Sequence, residues 1–139
     1  MQASIKWVDN VMFVGETGSQ HALIMDGAPD HGGRNMGPRP MEMILLGLGG
    51  CSSFDVVQIL KKGKHAITDC VCEISAERVD AVPSVFSKIH LQFRVTGKSL
   101  KPSAVERAVS LSAEKYCSVA KMLEHAVTLT HDFEVIEAD

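Results

Sequence analysis

The segment from Pro40 to Lys62 constrains this chain more than any other. Pro40 suits the first position of a helix, where its missing N–H is an orphan in any case. Gly63 supplies a C-cap, and Lys61 and Lys62 fall in the last turn, where cations are favoured. Between these ends the first half is apolar around the whole circumference, so a helix here should be buried on every side. Gly47, Gly49 and Gly50 each cost about 1 kcal/mol relative to Ala in a helix interior. Three such costs together imply that another backbone packs very close. A chain of 139 residues has trouble enclosing such a helix alone. A homodimer, intertwined around this element, is the expected solution.

The flanking patterns fill in an α+β order. Ser4–Val8, Met12–Glu16 and His21–Met25 read as three short strands separated by compact turns. Residues 26–39 contain four Gly and two Pro with no apolar periodicity, which marks a long loop. Long loops in compact domains are functional or disordered more often than neutral. Asp69–Val79 and Val85–Val95 read as a long hairpin. In its second strand Val85, Ser87, Ile89, Leu91, Phe93 and Val95 share one face, and Lys88, His90, Gln92 and Arg94 share the other, wet one. A helix from Pro102 to about Lys115, a short one over Ser118–His125 and a strand over Val127–Ile136 complete a single domain.

Composition narrows the function. With 45% apolar and 22% charged residues the chain is an ordinary globular one. A net charge of -3 offers no electrostatic footprint for nucleic acid and no polybasic membrane signal. The first residues lack a basic region followed by an apolar stretch, so no secretory signal is read. No apolar run reads as approaching the roughly 20 residues that span a bilayer. A cytoplasmic protein is expected, where a cysteine pair is more often redox or metal chemistry than a staple.

Four cysteines are present. Cys51 lies in the apolar helix, where a thiol is ordinarily an inert small hydrophobe. Cys117 lies where one helical pattern stops and another starts, and a thiol in a first turn is biased toward thiolate. If the fold joins them, one can attack an oxidant and the other can resolve the sulfenic acid as a disulfide. Their separation says nothing about proximity, and two unrelated buried cysteines fit the sequence equally. Cys70 and Cys72 alternate onto one face of a strand. A C-x-C pair can ligate a metal, but no second pair sits at zinc-like spacing, and these two read as structural. No metal or organic cofactor is expected.

Charged residues near these thiols have plain and functional readings. Glu42 in the first turn is favoured by the helix dipole, or it positions a guanidinium near the thiol. Nine residues at about 100° each place Glu42 and Cys51 on opposite faces of a straight helix. Asp55, one turn after Cys51, would oppose a thiolate unless paired. Arg34 and Arg39 are solvated loop charges, or one of them supplies the cation that a peroxidatic thiol requires. The Gly-rich loop lacks the phosphate-cradling G-x-x-x-x-G-K-[ST] pattern.

Lys6-Trp7-Val8, the run from Pro40 through Cys51-Ser52, and Leu111 through Cys117-Ser118-Val119 together resemble the OsmC/Ohr family, with its YhfA-like branch the nearest match. The resemblance covers essentially the whole chain. It implies an OsmC-like α+β fold, with antiparallel sheets wrapped around long central helices in an intertwined homodimer. It further implies a thiol-dependent peroxidase that reduces small organic hydroperoxides. Cys51 matches the attacking cysteine and Cys117 the one that closes the disulfide. An external dithiol, of lipoyl type in the Ohr branch, reopens it. The departures concern the cation. A Glu follows the helix-starting Pro in the peroxidases, whereas Met41 stands here and Glu42 comes next. The hairpin Arg of those proteins is absent, leaving Arg34 or Arg39 to replace it. Ser118 stands where Pro commonly follows the second cysteine. Two further readings stay open: a small-molecule or acyl-binding module with passive cysteines, and a thiol enzyme acting on other sulfur species.

Overall fold

The computed structural model describes residues 1–139, which fall into two compact units, Met1–Leu46 and Gly47–Asp139. In the first, β1 (Ala3–Asp9), β2 (Met12–Thr17) and β3 (Ala22–Met25) form an antiparallel meander in chain order. Asn10 takes the left-handed conformation at the first turn (φ 45°), which Asn tolerates better than most residues. The Gly/Pro loop that follows is organised by one carboxylate. Asp26, 2% exposed, accepts hydrogen bonds from the backbone N–H groups of Gly27 (2.8 Å), Arg34 (3.1 Å) and Met36 (3.1 Å). A side chain thus satisfies backbone donors that no strand or helix takes up. A single 3₁₀ turn, Pro29–His31, lies within the loop.

The second unit is built on a three-stranded sheet in the order β4 (Ala66–Arg78), β5 (Phe86–Lys98), β6 (Thr128–Glu137). β4 and β5 form the long hairpin, but β6 pairs with β5 in parallel. The expectation of antiparallel sheets therefore holds for the first sheet and, in the second, fails only at the β5–β6 pairing. The reason lies between β5 and β6. Helix α2 (Pro102–Leu111), a π-helical turn (Ser112–Tyr116) and helix α3 (Ser118–Leu123) carry the chain back, so β6 starts at the same end as β5.

Ile89, Leu91, Phe93 and Val95 form the buried face of β5, as the alternation requires. At the start of the strand the phase slips. The pairs Glu77–Lys88 and Arg78–Phe86 leave Ser87 in a bulge, so Phe86 turns inward while Val85 stays 50% exposed. Leu60, Val56 and Leu48 of the long helix and Val105, Ala108 and Val109 of α2 complete this core.

Helix α1 (Pro40–Lys62) has the expected bounds, but one chain does not bury it on every side. Leu48, Ser52, Val56 and Leu60 recur every fourth residue and are buried. Leu46 and Phe54, by contrast, are 61% and 65% exposed. The close backbone that the glycines imply is met at none of the three positions within this chain; at Gly49 the neighbour is a side-chain tip. A Cβ on Gly49 would lie 2.7 Å from Cδ1 of Ile74, whereas Gly47 and Gly50 meet nothing within 4 Å. At 23 residues, with a mean hydropathy of 1.7 over its best window, α1 is also long and apolar enough by composition to cross a bilayer. The reading that no segment approaches that length undercounts it, because glycines and serines dilute the run without charging it. The core helix of a globular unit meets the same description, and the buried stripe of α1 is what such a helix presents.

Asp26 should make the first unit acid-sensitive. The Met36 N–H, ahead of those of Gly27 and Arg34, holds its carboxyl below the ordinary value of 3.8, against the opposing effect of burial. Its stabilising contribution is therefore present above about pH 4 and lost as pH falls through the lowered folded value. Asp26→Asn should unfold at lower temperature at pH 7 and show a shallower loss of stability below pH 4. Thermal unfolding between pH 3 and pH 7 checks this, and parallel curves for the two proteins would contradict it.

Candidate functional site

Three consecutive residues of α1 point in three directions, because each step turns the side chain by about 100°. Ser53 faces β4, its hydroxyl beside the thiol of Cys72. Ser52 falls on the buried stripe, and its hydroxyl donates to Sγ of Cys117 at 3.2 Å. Cys51 is half-buried and lies close enough to Cys117 to raise that thiol. Both are free cysteines. The fold therefore brings together two thiols that are 66 positions apart in the sequence.

The second thiol is held by an irregularity. The sequence suggests that α2 runs to about Lys115, but the α-helix stops at Leu111 and widens into the π turn. Such turns are frequent at functional sites. Cys117 then leaves the helical conformation (φ -71°, ψ 106°) and becomes the N-cap of α3, its N–H donating to the carbonyl of Ser112 at 2.9 Å. Its sulfur accepts the Ala120 N–H at 3.4 Å, taking the place of the usual capping oxygen. Ser112, fully buried, ties the two segments together. Its hydroxyl is shared between the carbonyl of Ser52 (3.1 Å) and Oδ2 of Asp55 (3.2 Å).

Ser52, Ser112 and Asp55 thus join the site, and the sequence reading gave none of them this place. The available signal was a hydroxyl on each of two apolar stripes, Leu48–Ser52–Val56–Leu60 and Val105–Val109–Ser112. Stripes of that kind pack together, and a buried hydroxyl requires a partner. Asp55 finds its partner in Ser112.

Burial decides the character of Cys117. A position at a helix start favours thiolate, but removal from water pushes this thiol up. The Ser52 hydroxyl and the Ala120 N–H pull in the opposite direction, while Cys51 adds to the rise. The helix behind it has only six residues, so its dipole is small. The expected bias toward thiolate is overturned. Cys70 and Cys72 do share one face of β4, half-buried. Burial, with Asp69 beside it, raises Cys70; burial, with Cys70 beside it, pushes Cys72 up to about 11 despite the Ser53 hydroxyl.

The charged candidates lie in the first unit. Arg39 immediately precedes the first helical residue, and its backbone N–H donates to Oε1 of Glu42 at 2.8 Å. That is the reciprocal half of a capping box. Nε of Arg39 stands 3.8 Å from the same carboxylate oxygen, and its guanidinium donates to Oδ1 of Asn35 and to the Gly37 carbonyl (3.4 Å). Arg34 instead pairs with Asp9, both half-exposed. An Arg–Glu pair therefore exists at the head of α1, made by Arg39 and not by Arg34.

Cavities accompany both groups. One of about 480 Å³ in the second unit is lined by Ser52, Ala120, Leu91, Phe93, Glu114 and His131, among others. Another of about 530 Å³ in the first unit is almost wholly apolar, with Ile5, Phe13 and Met25 on its walls and Arg39 at its edge.

Comparison with known proteins identifies the family and the fold. A family model described as OsmC-like protein matches residues 31–132. Protein YhfA of Escherichia coli K12 is 51% identical over 138 residues, which is 99% of this chain and all of that one. A crystal structure of a hypothetical protein from Aquifex aeolicus is 27% identical with a TM-score of 0.87, covering 99% of this chain and 97% of the other. A Legionella pneumophila structure described as an organic hydroperoxide resistance protein OsmC shares the fold at 14% identity. Its TM-score is 0.71, and the match covers 96% of this chain and 95% of that one.

The thiol environments predict an order of reaction. With its thiol at about 11, Cys72 is only ~0.1% thiolate at pH 8. Iodoacetamide at that pH should label Cys51 first, with Cys72 and the buried Cys117 following slowly. Peptide mapping over a time course checks the order, and Cys72 reacting as fast as Cys51 would refute it. Because the raised thiols keep protons that the unfolded chain releases, folding stability should be full below pH 9 and fall as pH rises toward 11.

Proposed function

Given that this chain belongs to the OsmC-like protein family, we propose that it is a thiol-dependent peroxidase that reduces small organic hydroperoxides. The observation that carries this reading is the placement of Cys51 against the buried Cys117. The name of the Legionella relative supports the substrate class.

In this reading the Cys51 thiolate attacks the distal peroxide oxygen. The O–O bond breaks, the alcohol leaves with a proton, and Cys51 becomes a sulfenic acid. Cys117 attacks the Cys51 sulfur and displaces hydroxide, which leaves as water, and a Cys51–Cys117 disulfide remains. An external dithiol, of lipoyl type, reduces that disulfide by exchange. Arg39, paired with Glu42, is assigned the cation that stabilises the departing alkoxide; twelve residues of α1, about 18 Å, separate it from Cys51 of its own chain, so a second copy must present it. Arg34, engaged by Asp9, is the weaker candidate.

The working form is a homodimer in the cytoplasm. Leu46 and Phe54 stand exposed on an apolar helix, and the open faces of Gly47 and Gly50 admit a close backbone. A second copy of this chain, presenting the same helix, fits such a surface. A second reading, a binding module with passive thiols, rests on the apolar cavity beside Arg39.

The deciding experiment treats reduced protein with one equivalent of cumene hydroperoxide, with hydrogen peroxide in parallel, followed by intact mass and peptide mapping. A rapid, near-stoichiometric Cys51–Cys117 disulfide is expected, with the organic peroxide preferred. It should be abolished by Cys51→Ser and slowed at least tenfold by Arg39→Ala, in keeping with loss of a preorganised cation. Thiols that stay free, or oxidise no faster than Cys70 and Cys72, would end the peroxidase reading in favour of the binding module.

The dimer has its own test. Light scattering should give twice the mass of the 15.1 kDa chain. Leu46→Glu should drive it toward the monomer, because a charge in an apolar interface is strongly disfavoured. A monomeric wild type would refute the assembly.

A further inference from the structure

We propose that Ser52 is a catalytic hydrogen-bond donor to the resolving sulfur, stabilising the Cys117 thiolate each time the disulfide closes and each time it opens. This rests on the peroxidase reading above and adds a residue and a step to it.

Cys117 is fully buried and Ser52 is 2% exposed, so bulk water does not solvate the sulfur where charge develops. Two donors face it: the Ser52 hydroxyl at 3.2 Å and the Ala120 N–H at 3.4 Å. The second is a helix-terminal amide, present whatever the side chains. The first is a choice of residue. Packing alone gives no reason for a hydroxyl between Leu48 and Val56 on a buried stripe. Inside a helix, serine commonly turns its hydroxyl back onto a carbonyl of the preceding turn. Here it reaches across to sulfur, while its own carbonyl is anchored by Ser112.

The chemistry makes that bond differential. On closing, Cys117 gives up its proton, its sulfur attacks Sγ of Cys51, and the S–O bond of the sulfenic acid breaks. The hydroxide takes the proton and leaves as water. On opening, a dithiol thiolate attacks Sγ of Cys51, the S–S bond breaks, and the electron pair stays on Sγ of Cys117 until it is protonated. Sulfur is a weak acceptor as thiol or disulfide and a strong one as thiolate. A donor fixed beforehand therefore favours the charged species over the states on either side of it. The titratable groups around the sulfur are Cys51 directly and Asp55 through Ser112; Glu114, Glu124 and His131 line the cavity that Ser52 and Ala120 border. Ser52→Ala leaves all of them in place.

The test separates the steps. Reduced Ser52→Ala is mixed with cumene hydroperoxide, Cys51 sulfenic acid is trapped with dimedone, and disulfide is followed by quenched mass analysis from pH 6 to pH 9. Sulfenic acid should form within about twofold of the wild-type rate. Closure at pH 7 should be about tenfold slower, with its pH profile displaced upward, the difference between a hydrogen bond to a charged and to a neutral group. Reduction by dithiothreitol of a disulfide formed beforehand with diamide should slow similarly. Ser52→Thr, which keeps the hydroxyl, should restore both. Thermal unfolding confirms that Ser52→Ala is folded, and Ser52→Gly serves as a second variant without the donor. Wild-type rates and an unmoved pH profile in a folded Ser52→Ala would overturn the proposal. If wild-type Cys51 does not oxidise with organic peroxide, the peroxidase reading falls instead, and the diamide arm still decides for or against Ser52.

Discussion

Everything at the candidate site depends on one clasp, the contact between α1 and the π turn made by Ser52, Ser112 and Cys117. Each partner satisfies a group that the other would leave buried and unpaired. Ser112 meets the Ser52 carbonyl and the Asp55 carboxylate, and Ser52 meets the Cys117 sulfur. Left unmade, each such bond costs about 1–3 kcal/mol in desolvation. A continuous α-helix through residues 112–116 would rotate Cys117 away from this contact. The widened turn is therefore what the thiol pair requires of the backbone, and the polar clasp specifies it more sharply than apolar packing could.

Helix α1 answers to several neighbours along its length. Its first turn is capped by Glu42 and belongs with the loop that Asp26 organises. Its middle turns face Ile74, Cys72 and Cys117. Small residues, Gly49, Ser52 and Ser53, sit where α1 meets β4 and the π turn, and their size allows the helix to approach closely. Larger side chains there would separate the thiols whatever their chemistry. Its remaining faces carry apolar side chains that this chain leaves uncovered, which is why the site and the proposed assembly concern the same helix.

The fold was legible wherever periodicity carried it. The bounds of α1, the three N-terminal strands and the inward face of β5 from Ile89 to Val95 follow from local pattern. Three things did not. The parallel pairing of β6 is a matter of connection, to which strand periodicity is blind. The bulge at Ser87 shifts the phase by one residue without leaving a mark in the alternation. The π turn is invisible because 112–116 reads as a plain continuation of α2. At the site, the two cysteine contexts stood out by composition. Ser52 did not, since a serine in an apolar run looks like dilution until its partner is known. The roles of Arg39 and Glu42 were underdetermined for a different reason. A capping box and an activating ion pair use the same two side chains at the same spacing, and sequence cannot separate uses that share a geometry.

The high pKa of Cys117 bears on how such a pair can work without wasting itself. Two ready thiolates in contact would repel, each raising the other's cost of ionisation. Burial raises the Cys117 thiol, and in the proposed cycle Cys51, the half-buried partner, is the one that meets the oxidant. In that cycle a neutral Cys51 sulfenic acid would remove the repulsion, leaving the Ser52 and Ala120 donors to act on Cys117 with less opposition. The proposed order of events then follows the charge on Cys51. In the proposed cycle burial holds Cys117 back, and two fixed donors lower the barrier to its attack.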